Sequence, residues 1–187
     1  MVRLVLLGAS GSGRTTQAKH LRALLNIPVI STSEILRSEM AAGTDLGLEV
    51  KSFIDAGEFV PDPLIISLMR SRLNKEDTRH GWILEGYPRT SFQAEELDFL
   101  LDELGCPINH AIYLEASEET LMHRSRSRGN ADDTIDVIQK RIEQFLDLTM
   151  PLLEYYGYKQ KLLTVNSEHD VATVSFQIEH GINHLLK

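Results

Sequence analysis

Directly after the apolar run Leu4 to Leu7 the chain reads Gly8-Ala9-Ser10-Gly11-Ser12-Gly13-Arg14-Thr15-Thr16, and a helical pattern follows. This is the strand, glycine loop and helix of a phosphate-binding loop. The glycines permit backbone conformations closed to other residues, so main-chain N–H groups can converge on phosphate oxygens, and the helix N-terminus adds its positive end. A threonine hydroxyl here can face the Mg²⁺ that accompanies a nucleotide. Gly8, Ser10, Gly11, Ser12, Gly13, Arg14, Thr15 and Thr16 are therefore candidate nucleotide-phosphate ligands, with Thr15 toward the metal. The plain alternative is a glycine-rich turn without a ligand, and three glycines at these spacings speak against it. Arg14 is unusual, because such loops carry lysine there. A planar fork replaces a compact ammonium, so the charge survives and its shape does not.

Other residues could share that chemistry. Glu85 closes the apolar run Trp82 to Leu84, where a carboxylate can hold Mg²⁺ through water, and Tyr87-Pro88 forces a turn that presents Arg89. Arg124 and Arg128 are four residues apart and share a helix face; with Arg126 between them they repel one another unless phosphate or carboxylate joins them. The amide of Gln93 offers both a donor and an acceptor to a base edge. Among the seven histidines His180 and His184 have helical metal-ligand spacing, but no carboxylate or cysteine neighbours complete a site. With Cys106 as its one cysteine the chain has neither an internal disulfide nor the set a structural zinc needs.

These residues must be held by regular elements. Strand-length apolar runs occur at Leu4 to Leu7, Val29 to Ile30, Trp82 to Leu84, Ala111 to Leu114 and Leu162 to Val165. Helical patterns lie between and after them, at Thr15 to Leu25, Ser33 to Ala42, Leu46 to Ala56, Pro63 to Asn74, Ser91 to Leu104, Glu118 to Arg126, Ile135 to Tyr156 and Asp170 to Leu185. Short continuous apolar runs alternating with helices predict an α/β fold, a parallel sheet buried on both faces. Ser127 to Thr134 is short and polar and reads as an exposed loop. At 187 residues one domain is expected. The net charge of −8 would repel a polyanion, which argues against nucleic acid, and no apolar stretch is long enough for a membrane span. The cytoplasm is the expected compartment.

The motifs in order resemble the adenylate kinase family over nearly the whole chain. Gly8 to Gln17 is similar to G-x-P-G-x-G-K-G-T-Q, with Ser10, Arg14 and Thr15 in place of proline, lysine and glycine. Ile30 to Arg37 is similar to I-S-T-G-D-x-L-R, and Asp55 to Asp62 to D-A-G-x-L-V-x-D. Gly81 to Thr90, followed by Gln93, resembles G-F-x-L-D-G-F-P-R-T and its glutamine, with Glu85 in place of aspartate. Asp132-Asp133 and then Arg141 resemble the pattern that follows the family's short lid.

The resemblance implies a three-layer P-loop fold with a five-stranded parallel sheet, an acceptor-binding lobe at about 31–60 and a short lid at about 125–134. It implies reversible Mg²⁺-dependent transfer from ATP to AMP giving two ADP, by a monomer acting on free nucleotides. ATP would meet the loop and Arg124; AMP would meet Thr32, Arg37, Gly57, Val60, Gly86, Arg89, Gln93 and Arg141; Arg14, Arg89, Arg128 and Arg141 would embrace the phosphates in transfer. Glu85, through water, and Thr15 would hold the metal. One lid arginine is absent where Asn130 stands, and Arg126 is the residue that could replace it. Two alternatives follow from the departures: a catalytically impaired nucleotide-binding protein used for sensing or as a scaffold, and an enzyme with a different small acceptor. Thr32 and Gln93 argue against the second.

Overall fold

The computed structural model describes residues 1–129 and 134–185. Five parallel strands, β1 (Val2–Leu7), β2 (Val29–Ser31), β3 (Gly81–Glu85), β4 (His110–Glu115) and β5 (Leu162–Asn166), lie in the order β2-β3-β1-β4-β5. β1 is central, and Leu4 to Leu7 are at most 2% exposed. Its side chains alternate between the sheet's faces, as a strand's must. Leu4 and Leu6 pack with Ala18 and Leu21 of α1 (Arg14–Leu25) and with Val174 and Ile178 of α9 (Val171–Ile182). Val5 and Leu7 face the larger cluster on the other side. That cluster is covered by α4 (Asp62–Leu73), α5 (Ser91–Glu103), α6 (Glu118–Arg128), α7 (Ile135–Gln144) and α8 (Pro151–Tyr158). The result is three layers. Each buried leucine contributes about 1.5–3 kcal/mol, and a charge at Leu6 would break the sheet's centre.

Two further helices, α2 (Thr32–Ala42) and α3 (Asp45–Asp55), form a hairpin between β2 and α4. Their contact is close because Gly47 has no side chain: a Cβ there would lie 2.3 Å from the Glu39 carbonyl oxygen. Hydroxyl and carboxylate caps set the starts of most helices: Ser31, Thr44, Thr90, Ser117, Thr134 and Asp170 each accept a bond from a first-turn N–H. α1, α4 and α8 have no side-chain cap: α4 and α8 carry a proline in their first two positions, and α1 starts from Gly13.

Three expectations change. The single helix expected over Ile135 to Tyr156 is broken by a π-helical turn, Phe145–Thr149, in which the Met150 N–H bonds back to the Phe145 oxygen at 3.0 Å. Pro151 has no N–H for the ordinary ladder, and the wider turn absorbs the loss. The last helix begins after its cap, Asp170, and ends in a 3₁₀ turn, Asn183–Leu185. α6 runs on to Arg128, with Gly129 at φ +69° as its C-cap, so Ser127 and Arg128 are helical rather than loop. Of the rest of the expected lid, Thr134 caps α7 and 130–133 lie outside the described residues.

Candidate active site

A cleft of about 500 Å³ opens at the carboxyl ends of β1, β2 and β3. In an open parallel sheet this is where ligands bind, because the strand ends and the helix N-termini meet there. The phosphate-binding loop forms its floor. Gly11 has φ +88°, and a Cβ would lie 2.3 Å from the Leu121 oxygen and 2.8 Å from Ser125 Oγ, so glycine lets the loop pack directly on α6. The first-turn N–H groups of α1 have no side-chain cap and no acidic neighbour in that turn, which suits an anion. Ser12 is 1% exposed and its Oγ lacks a hydrogen-bond partner among the described residues. Ser10, the residue in proline's place, ties the loop to α6: its Oγ accepts from Ser125 Oγ at 3.2 Å and from Arg128 Nη2 at 3.1 Å.

Glu85 ends β3 beside the loop, because β1 and β3 pair with Leu6 opposite it. Its Oε1 accepts a 2.6 Å bond from Thr15 Oγ1, and its Oε2 is buried without a partner among the described residues. A buried carboxylate oxygen with nothing to accept from is costly, and a hydrated divalent cation answers it. The pair Thr15 and Glu85 is a hard-oxygen donor set of the kind that suits Mg²⁺. Glu85 also faces Arg14 and Arg89. The Arg14 guanidinium is held below its ordinary value first by burial, with Arg128 adding repulsion and Glu85 opposing. Arg89 is lowered in the same way by burial and then by Arg14 and Arg141, with Glu85 opposing. Arginine keeps its charge in proteins, so the crowding marks a concentration of positive potential that a polyphosphate would relieve.

The far end of the cleft is built from the hairpin, the start of α4 and the β3–α5 connection. Thr32 is 2% exposed and donates to the Glu85 carbonyl oxygen at 3.3 Å. Gly86, at φ +85°, leaves room for that hydroxyl, since a Cβ would stand 2.4 Å from Thr32 Oγ1. Gln93, also 2% exposed, accepts from the Arg89 N–H at 2.8 Å and donates from Nε2 to Asp62 Oδ1 at 2.6 Å. Its amide keeps a second N–H and a second lone pair for a ligand. Arg37, Gly57 and Val60 border the same space. Arg89 itself bonds through Nε to the Gly86 oxygen at 2.8 Å.

The residues that the resemblance assigns to ATP, AMP and metal all line this one cleft, including Gly8, Thr16, Arg124, Arg128 and Arg141. Arg124 is anchored by Nη1 to the Ser167 oxygen at 2.8 Å, which holds it against the β5–α9 connection. Arg126 is a correction: it is exposed in the last turn of α6 and does not line the cleft, being two residues from Arg124 and Arg128 and so on another face. Asn130 lies outside the described residues. His180 and His184 turn to different partners, Phe176 and His110. Sequence reasoning missed Phe59, Phe145, Ser125 and Thr149. Phe59 left a signal, a ring where the related pattern has leucine; Thr149, which donates to the Arg89 oxygen at 2.8 Å, left none.

Comparison with known proteins agrees with this geometry. The family model described as adenylate kinase matches residues 6–161. "Adenylate kinase 2" of a Synechocystis species is 49% identical over 174 residues, 93% of this chain and 96% of that protein. "Adenylate kinase 2" of a Nostoc species is 51% identical over 167 residues, covering 89% and 91%. "Adenylate kinase" of Bifidobacterium longum is 42% identical over 188 residues, covering 98% and 100%. Matches of this extent run through the loop, the hairpin and the arginine-bearing helices alike, and the chain belongs to the adenylate kinase family.

Proposed function

We propose that the chain catalyses ATP + AMP ⇌ 2 ADP with Mg²⁺, using the cleft's two ends for the two nucleotides. The observation that carries this is the row of Arg14, Arg89, Arg128 and Arg141 bordering one cavity between the glycine loop and the Thr32, Arg37 and Gln93 end. The loop N–H groups and Arg14 hold the donor's phosphates, and Arg124 offers a flat face to its base. Thr32, Gly57, Val60, Gly86 and Gln93 hold the acceptor nucleoside, with Arg37, Arg89 and Arg141 on its phosphate. No side chain is a nucleophile: an acceptor phosphate oxygen attacks the γ-phosphoryl in line, and the bond to the β-phosphate oxygen breaks. The arginines stabilise charge spread over the transferring group and hold the reacting atoms in line. When bound beside Thr15 and Glu85, Mg²⁺ supplies further positive charge to the donor phosphates.

In this reading residues 31–60 form the acceptor lobe and 125–134 the lid, both parts of a single domain, and closing the lid excludes water. The same reading makes the protein a monomer of the cytoplasm that works on free nucleotides, with no structural zinc; the net charge of −8 weighs against nucleic acid. Among the described residues no helix is long and apolar enough to cross a membrane. The impaired alternative draws no support from the relatives, which are named as adenylate kinases. A coupled ADP-formation assay with AMP, CMP, UMP and dAMP tests the reading. AMP should be the preferred acceptor; equal use of CMP or UMP, or no AMP-dependent turnover, would overturn it.

A further inference from the structure

Arg89 is held at several points. Its N–H is fixed by Gln93, its carbonyl by Thr149 and its Nε by Gly86, and the carbon at the centre of its guanidinium stands 4.9 Å from the centroid of the Phe59 ring. Phe59 lies on the connection between α3 and α4, and Arg89 on the connection between β3 and α5. The ring is half-buried, lines the cleft and belongs to neither apolar cluster, so the core does not account for it.

We propose that Phe59 is a positioning residue for Arg89 and through it sets the affinity for the acceptor nucleoside monophosphate. The inference rests on the reading of Arg89 as an acceptor-phosphate ligand. Arg89 is repelled by Arg14 and Arg141, and Glu85 is the carboxylate that opposes them. A second carboxylate beside Arg89 would steady it but would compete with phosphate for the guanidinium N–H groups. An aromatic face does otherwise: it attracts the cation through the ring's quadrupole and meets the guanidinium plane, while the in-plane N–H donors stay directed at oxygen acceptors. Leucine, which the related pattern has at this place, fills the space and supplies no such face. Because Phe59 comes from the hairpin side of the cleft, the contact also ties the position of that side to the orientation of Arg89.

The test is calorimetric titration of the full chain with AMP and, separately, with ATP. Phe59→Leu should weaken AMP binding by about three- to thirtyfold and leave ATP binding within about twofold, while Phe59→Tyr and Phe59→Trp, which keep the π face, should stay within about twofold of the parent for AMP. In an Arg89→Ala background Phe59→Leu should add less than about twofold, as a double-mutant cycle requires of residues that act through one another. Melting temperatures check folding, and Phe59→Met serves if leucine is not tolerated. The inference is overturned if leucine leaves AMP affinity unchanged, if ATP affinity falls equally, if tyrosine and tryptophan are as weak as leucine, or if the loss persists without Arg89. A wild type that binds AMP without converting it would defeat the proposed reaction and leave the affinity comparison decisive for Phe59. A wild type that does not bind millimolar AMP would overturn both.

Discussion

Thr15 Oγ1 and Glu85 Oε1 are joined by a 2.6 Å hydrogen bond across 70 residues of sequence, linking the first turn of α1 to the end of β3. The bond orients one carboxylate oxygen and leaves the other, Oε2, buried with nothing to accept from among the described residues. Glu85 thus touches the loop through Thr15 and opposes the repulsion on Arg14 and Arg89 at once.

Glu85→Gln keeps the shape and removes the charge. We expect the Mg²⁺ concentration for half-maximal activity to rise by about tenfold, as for loss of a group that holds a metal through water. The turnover number should fall by about a hundredfold, because the cation that would neutralise the transferring phosphates is no longer held in place. A magnesium titration of ADP formation measures both. Unchanged magnesium dependence would remove Glu85 from the metal's surroundings.

Much of this is legible in the sequence because the signals are local. Strands β1, β3 and β4 are largely apolar on both faces, so their runs stand out, and the glycine loop announces itself between a strand and a helix. What escaped the sequence depended on distant partners. Ser10 reads as a departure from proline, but its tie to Arg128 lies 118 residues away. Phe59 reads as a departure from leucine, and only the fold sets it against Arg89. Pro151 is visible, yet whether a proline ends a helix, kinks it or widens it to a π turn depends on the packing that Phe145 and Thr149 find. Arg126 stands two residues from both Arg124 and Arg128, and residues two apart do not share a helix face.

Arg14→Lys tests the loop's main departure. Lysine places a point charge between the β- and γ-phosphates, whereas the arginine fork also faces Glu85 and is crowded by Arg128. We expect kcat at saturating ATP and AMP to rise by about three- to tenfold, equivalent to about 0.7–1.4 kcal/mol of binding gained only in the transition state. A lower kcat in a mutant of unchanged melting temperature would show that Arg14 is a working part adapted to this cleft.

His110 gives a pH dependence of stability unconnected with catalysis. Its Nε2 lies 3.1 Å from His184 Nε2, its Nδ1 is 3.3 Å from the Lys161 oxygen, and its pKa is pushed below 6.5 first by burial, with His184 and the Lys161 ammonium adding to the fall and the Lys161 carbonyl opposing it. The folded state then binds fewer protons than the unfolded chain as pH falls below 6.5. Stability contributed by neutral His110 is therefore present above that pH and is lost as pH falls through the lower, folded value. Chemical denaturation at pH 7.5, 6.5, 5.5 and 5.0 should show a decline that His110→Phe flattens. An identical decline in the variant would assign the proton uptake to other groups.

The central claim, that one cleft holds donor and acceptor nucleotides together, is tested most directly with two adenosines joined through five phosphates. Calorimetric titration in the presence of Mg²⁺ should give one molecule bound per chain, with an affinity well above that for ATP or AMP alone, because linking the two halves makes the second engagement intramolecular. Arg89→Ala should weaken it while leaving ATP binding nearly intact, since removal of a charge-assisted phosphate contact costs about 1.5–3 kcal/mol on the acceptor side only. Two molecules bound per chain, or an affinity no better than that of ATP, would contradict the account.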